Sequence, residues 1–371
     1  MTNFRSFRAG QRGKKGMSME TSKPTKKKTR LLWFVVFLLL VFLTLRAMTR
    51  GAGGFSADRM WELLRGANPF WLAMGLVCMV GFIVVEGFSL RQLESFFGHR
   101  RSVRRNTVYA AADIYFSAIT PSATGGQPAS AVFMLRDGIP TAVTTMCLLV
   151  NVLLYTVSIL VIGVFCFLLC PHLFVSFRPM SRVLILVGCL IQSLFVVGLL
   201  LLILRERIIL RVASFFLNLA HKLHLVKQVE AKQQALRQMA QEYRDCIHAF
   251  RGGARVICGA FLLNLLQRFC NMGVTLCIFL AVGGELGKSL EVMVAQGFVI
   301  LGSNAVPIPG AVGIADFLFL DGFRQLIPDT ACVEFLSRGI SFYVCLIVSG
   351  AMVLLATVAD ILRRRRRRRE A

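Results

Sequence analysis

Charged side chains are scarce in this sequence. They make up 17% of its 371 residues, against about 25% in an ordinary soluble domain, and the hydrophobic share is 56%. That much apolar surface is expected to face lipid. Histidine is rarer still, at 5 residues. His99, His221, His224 and His248 fall in basic connectors and His172 beside a turn, so no catalytic constellation forms around them. No metalloprotease helix, nucleophile elbow or phosphate-binding P-loop occurs, and no C-x-x-C pair. The 11 Cys are scattered through apolar runs. Cys166 and Cys170 lie one helical turn apart without a His or carboxylate beside them. They read as small packing residues, and no disulfide, metal or other cofactor is expected.

Lys and Arg are abundant, 43 against 19 Asp and Glu, for a formal net charge of +24. They gather in the tail Arg5–Arg30, the connector Arg91–Arg105, the loop Arg205–Arg255 and the run Arg363–Arg369, each flanking an apolar run. No aromatic-interleaved basic domain accompanies them, so direct nucleic-acid binding is not expected. Positive charge beside a span is retained on the cytoplasmic side and attracted to anionic headgroups. The expected protein is an all-α integral membrane protein of a bacterial-type plasma membrane, with both termini in the cytoplasm. A basic tail (1–30) precedes a polytopic membrane domain (31–362), interrupted by an amphipathic cytoplasmic loop (205–255) and followed by a second basic tail (363–371).

A bilayer core takes about 20 apolar residues as helix. Six runs meet or approach that length: Leu31–Met48, Phe70–Leu90, Ala142–Cys170, Val183–Leu204, Val256–Val282 and Ile340–Leu362. The first follows a basic region as a signal peptide would, but Arg46 and Arg50 stand where a cleavage site would be, so it is expected to remain as a span. Two further apolar regions are broken, Val108–Leu135 by Thr120–Pro128 and Val292–Leu326 by Pro307–Gly313. Pro removes a backbone donor and Gly loosens the helix, so each should be two half-helices, forming a re-entrant hairpin or a kinked full span.

With six full spans, all four basic segments are cytoplasmic only if both broken regions return to the side they entered from. The chain then holds two inverted units of span, broken hairpin and span, Phe70–Cys170 and Val256–Leu362. Such units mark a transport pathway, because unwound backbone at membrane depth survives only where it lines a cavity or is buried in protein. Between them, Leu225–Phe250 lacks Pro and Gly and places Leu225, Val229, Leu236, Ala240, Tyr243, Ile247 and Phe250 on one face, which predicts a helix at the membrane surface or in a hairpin.

Ionisable groups inside apolar runs are costly and so are candidates for function. Asn264, Gln267, Arg268 and Asn271 recur at i, i+3, i+4 and i+7, with Thr275 four residues on, and share one helical face. The guanidinium of Arg268 suits phosphate oxygens with its planar fork of donors. It is equally suited to pair with Glu86 or Asp316. At the broken regions, half-helix N-termini offer free N–H groups to an anionic headgroup. Gly125, Gly126, Gly310 and Gly313 allow close backbone approach, Pro309 helps break the second turn, and Thr120, Ser122, Thr124 and Gln127 add hydrogen-bonding groups. Glu86 and Asp316 are candidates for an ion pair or for proton coupling. Asp113, Asp321, Arg324 and Asp360 lie nearer span ends, where a solvated or interfacial role is expected.

The stretch Ala118–Pro128, followed by Arg136-Asp137-Gly138-Ile139-Pro140, and the stretch Pro307–Asp316 together resemble the lysylphosphatidylglycerol synthase transmembrane family, also called flippase-like. The resemblance runs from about Thr29 to Leu362. The family's second motif usually reads Pro-Gly-Gly-x-Gly followed by Glu. Here Ala311 replaces a Gly and Asp316 stands at the Glu position, keeping the carboxylate but shortening its reach. The resemblance implies a membrane part that moves phosphatidylglycerol or its lysyl or other aminoacyl derivative between leaflets. In two-part members a separate cytosolic domain transfers lysine from lysyl-tRNA to the lipid. The loop Arg205–Arg255 is too short to fold such a domain. Phosphatidylglycerol lysyltransferase activity, with its links to lipid metabolism and antibiotic resistance, is therefore expected only with a separate catalytic partner. A non-transporting membrane scaffold is the third reading.

Overall fold

The computed structural model of the protein describes residues 57–120, 123–204, 246–247, 252–304, 309–311, 313–327 and 329–370. The expected first span Leu31–Met48, both turn residues Pro121 and Ser122, and nearly all of the loop 205–255 lie outside them. Among the described residues every regular element is helical. They are α1 (Ala57–Gly66), α2 (Pro69–Phe96), α3 (Val103–Ile119), α4 (Gly126–Arg136), α5 (Thr141–Leu169), α6 (Pro171–Ser176), α7 (Pro179–Leu204), α8 (Ala254–Ala281), α9 (Ser289–Ser303), α10 (Ile314–Phe323), α11 (Thr330–Arg338) and α12 (Cys345–Glu370).

Among the described residues, five helical stretches are long and apolar enough to cross a membrane: Pro69–Phe96, Thr141–Leu169, Pro179–Ile203, Ala254–Ala281 and Thr330–Arg363. The chain is a multi-pass all-α membrane protein. Apolar side chains such as Leu168, Leu194, Ile347 and Leu355 are turned away from the protein. In water such surface would cost about 25 cal/mol per Å², so these faces belong against lipid. Helix starts follow local chemistry. Asn68 accepts a hydrogen bond from the Phe70 N–H at 3.0 Å, and Pro69 sits where the missing donor is not needed.

The last span differs from its sequence reading. It starts at Thr330, ten residues before the expected Ile340, and runs through a π-helical segment, Gly339–Val344, that joins α11 to α12. The broken regions are helical hairpins. α3 packs along α4, and α9 against α10. At 17, 11, 15 and 10 residues, these helices are about 25, 16, 22 and 15 Å long at 1.5 Å per residue. Each is shorter than the roughly 30 Å hydrocarbon core. The order span, hairpin, span thus occurs twice, as α2, α3–α4, α5 and as α8, α9–α10, α11–α12.

The two units interleave. α8 lies along α2 and against α5, while α9 packs on α5 and α7. Small residues permit this. A Cβ on Gly188 of α7 would overlap the Leu301 carbonyl of α9, so two backbones meet there at a distance that a larger residue would forbid. Of the amphipathic stretch Leu225–Phe250 only Cys246 and Ile247 are described, and both are buried in a cluster with Leu148, Ile203 and Ala260.

Candidate functional site

A cavity of about 490 Å³ opens between the two hairpins, lined by Phe82 and Glu86 of α2, Asp113 and Ser117 of α3, Gln127 of α4, Asn151 and Tyr155 of α5, Gln192 of α7 and Asn304 after α9. Both hairpins contribute their tips, Ala123 and Gln127 from the first and Asn304 from the second. A cavity with carboxyl and amide groups set in a largely apolar wall is what unwound backbone at membrane depth is built around.

The two carboxyls in its wall are nearly closed off from solvent, Glu86 at 6% and Asp113 at 8% exposure. They lie close enough to share a hydrogen bond. Asp113 also accepts from Ser117 Oγ at 3.2 Å and from Gln127 Nε2 at 2.5 Å, and Glu86 from Gln267 Nε2 at 2.8 Å. The expectation that Asp113 is solvated or interfacial is therefore corrected. Its sequence position is near a helix end, but the hairpin folds that end into the interior.

The stripe on α8 divides. Asn264 donates to Ser89 Oγ at 2.9 Å and to Asn151 Oδ1 at 3.3 Å, and Ser89 donates to the same Asn151 oxygen at 2.8 Å. This knot holds α2, α5 and α8 together. Thr275 bonds Ser337 of α11 at 2.8 Å, and Asn271 is only partly buried. Arg268 is buried at 4% exposure, with its guanidinium carbon 4.2 Å from the centre of the Tyr155 ring and 4.9 Å from that of Phe82. Its Nε and Nη2 have no hydrogen-bond partner among the described residues. Glu86 feels its charge, but neither of the two carboxylates considered from sequence forms an ion pair with it. Asp316 has another partner.

That partner is Arg338, which sequence reading did not single out. Arg338 Nε donates to Asp316 Oδ1 at 2.5 Å, its Nη1 to the Gly310 carbonyl at 3.2 Å, and Glu334 lies 3.4 Å away. The signal was Glu334 and Arg338 at i and i+4, hidden because hydropathy places the start of the span after them.

The N-terminus of α10 is taken by a carboxylate of the protein's own, and at α4 another stands close beside the helix start. The Gly313 N–H, at a positive φ of 86° that suits glycine, donates to Asp316 Oδ2 at 2.7 Å. At α4, a Cβ on Gly126 would collide with Asp113 Oδ1 and Ser117 Oγ, so glycine there lets Asp113 approach the helix start. Thr120 caps the first turn, donating to the Phe116 carbonyl at 2.6 Å and accepting from the Gly125 N–H at 2.9 Å. Pro309 and Gly310 form a short 3-10 turn with Ala311. Ser122 lies outside the described residues.

At the hairpin's other end, Arg105 donates to both Asp137 and Asp360, the latter at 2.7 Å, and Tyr109 Oη also donates to Asp137. Burial alone would push the Asp137 carboxyl up, but the hydrogen bonds from Arg105 and Tyr109 hold it below the usual carboxylate range. Asp321 is itself buried but meets the more exposed Arg324 at 3.4 Å, and it accepts from Ser181 Oγ at 2.6 Å. Among the described residues no cluster of His, Cys, Asp and Glu could hold a metal ion.

A family model described as the lysylphosphatidylglycerol synthase TM region matches residues 30–349. No curated protein sequence matches the chain.

Proposed function

We propose, from the premise that this chain belongs to the lysylphosphatidylglycerol synthase transmembrane family, that it translocates a phospholipid, phosphatidylglycerol or its aminoacyl derivative, between the leaflets of the plasma membrane. The observation that carries the reading is the cavity of about 490 Å³ between the two hairpin tips, with carboxyl and amide groups set in a largely apolar wall. A headgroup lodges there while its acyl tails stay in lipid. Glu86 and Asp113 offer carboxyl oxygens to an ammonium group, Gln127 adds a neutral partner, and the unused donors of Arg268 lie behind the ring of Tyr155 for a phosphate oxygen. The two units stand inverted in the membrane with both chain ends in the cytoplasm, so rocking of one against the other alternates access to the cavity.

The test is transfer of labelled phosphatidylglycerol and lysyl-phosphatidylglycerol, placed in one leaflet of liposomes containing the purified protein. Wild type is expected to carry label across and Arg268→Ala to lose that transfer. Absence of transfer for both lipids rejects the reading. Lysyl-lipid in extracts of cells expressing the chain would instead favour the lysyltransferase alternative, with a separate catalytic domain supplying the chemistry.

A further inference from the structure

Glu86 and Asp113 come from different helices and meet in the cavity wall, each more than nine-tenths buried. Two carboxyls that share a hydrogen bond hold one proton between them, since two carboxylates offer only acceptors. The other groups of the pair's surroundings are few. α8 contributes Arg268 and the neutral Gln267, α5 Tyr155 and Asn151, α4 Gln127, α7 Gln192, and the start of α12 the Cys345 thiol.

With its one proton, the pair carries a single negative charge beside the fixed positive charge of Arg268, and the site is neutral. Charge is expensive in a low-dielectric interior, so occupied and empty states favour the same net charge. An ammonium group can then enter only as the proton leaves. The pair becomes doubly negative, and Arg268 and the ammonium together balance it.

We propose that Glu86 and Asp113 form a proton-exchange site, in which the amine of a cationic lipid headgroup takes the place of the proton held between the two carboxyls. The proton passes to water in the cavity, and no bond other than its own O–H is broken. This rests on the reading of the cavity as a headgroup site, and it adds an energy source, because a proton gradient would then drive a cationic lipid the opposite way. The unpartnered Nε and Nη2 of Arg268, 4% exposed, lie behind two lining rings and mark the place where the phosphate of the same headgroup is neutralised. A lipid with one phosphate and two ammonium groups brings a net single positive charge, matching the proton it displaces. Phosphatidylglycerol, with the phosphate alone, brings a single negative charge, so it displaces no proton and the pair instead takes one up.

The experiment places the purified full chain in weakly buffered phosphatidylcholine vesicles with a pH-sensitive dye, and adds lysyl-phosphatidylglycerol or phosphatidylglycerol while transfer of label is followed. Wild type is expected to release about one proton per bound lysyl-lipid and to take one up with phosphatidylglycerol. The near-isosteric variants Glu86→Gln and Asp113→Asn are expected to release none, and subtracting their signal removes protons shed by the lipid's own amines. Adding each lipid to protein-free vesicles gives the protons shed by its own amines, so poor folding of either variant leaves the comparison in wild type decisive. Transfer of lysyl-lipid without proton release, or with equal release in the variants, overturns the exchange site and leaves translocation standing. Proton release without transfer supports the site and rejects translocation. Neither signal rejects both.

Discussion

Replacing Arg338 by leucine tests how the second hairpin is held. Arg338 is the cation for Asp316 and Glu334, and the three side chains are only 11%, 15% and 10% exposed. It also ties the Gly310 carbonyl of the broken turn at 3.2 Å. Arg338→Leu leaves two buried carboxyls with no counter-charge, and breaking a buried pair from one side costs about 3 to 5 kcal/mol. Replacing Asp316 as well removes one of the two uncompensated carboxyls and leaves Glu334 alone. The double variant Arg338→Leu, Asp316→Leu should therefore recover about half of the loss, the remainder being the Glu334 carboxyl and the unpaired Gly313 N–H, the latter about 1 kcal/mol. Unfolding by sodium dodecyl sulfate in mixed micelles, followed by circular dichroism, measures both. A single-variant loss below about 1 kcal/mol, or a double variant as costly as the sum of the singles, would refute the reasoning.

Gly126→Ala places a methyl against Asp113 Oδ1 and Ser117 Oγ; it should destabilise by about 1 to 3 kcal/mol in the same unfolding assay and lower lipid transfer. Arg268→Lys keeps the charge but loses the planar fork and its stacking on Tyr155, so transfer rates in liposomes should fall towards those of Arg268→Ala rather than stay at the wild-type level. Asp137 sits below the usual carboxylate range when folded, so its stabilising effect is complete above that range and is lost as pH falls through its own lower value. Wild type should exceed Asp137→Asn in stability at neutral pH, with the two curves converging only in strong acid; parallel curves across the whole range would contradict this.

The long spans were legible because hydrophobic length is a nearly sufficient signal once a bilayer must be crossed. The hairpins were legible from Pro and Gly, which interrupt backbone hydrogen bonding wherever they occur. The stripe Asn264, Gln267 and Arg268 follows from helical period alone, and all three are buried. Which partner each would meet was not legible. Asp113 stands near the end of a helix in sequence and was assigned to solvent or the interface, yet the fold-back of α3 on α4 turns it into the cavity. Arg268 and Asp316 were considered as a pair because each lacked a partner in the apolar runs. Arg338 lay beyond the hydropathy boundary of its own helix, and contacts between helices distant in sequence carry no local signature.

The guanidinium of Arg105 grips Asp137 at the end of the first hairpin and Asp360 near the end of α12. Those carboxylates belong to opposite halves of the molecule, so one side chain fastens the two units to each other. Its setting is partly wet, with Arg105 at 20% and Asp360 at 26% side-chain exposure, so salt screens it more than it screens the buried Arg338 pair. The clasp therefore stands where ions in the surrounding water reach it, while the pairs deeper in the protein are shielded from them.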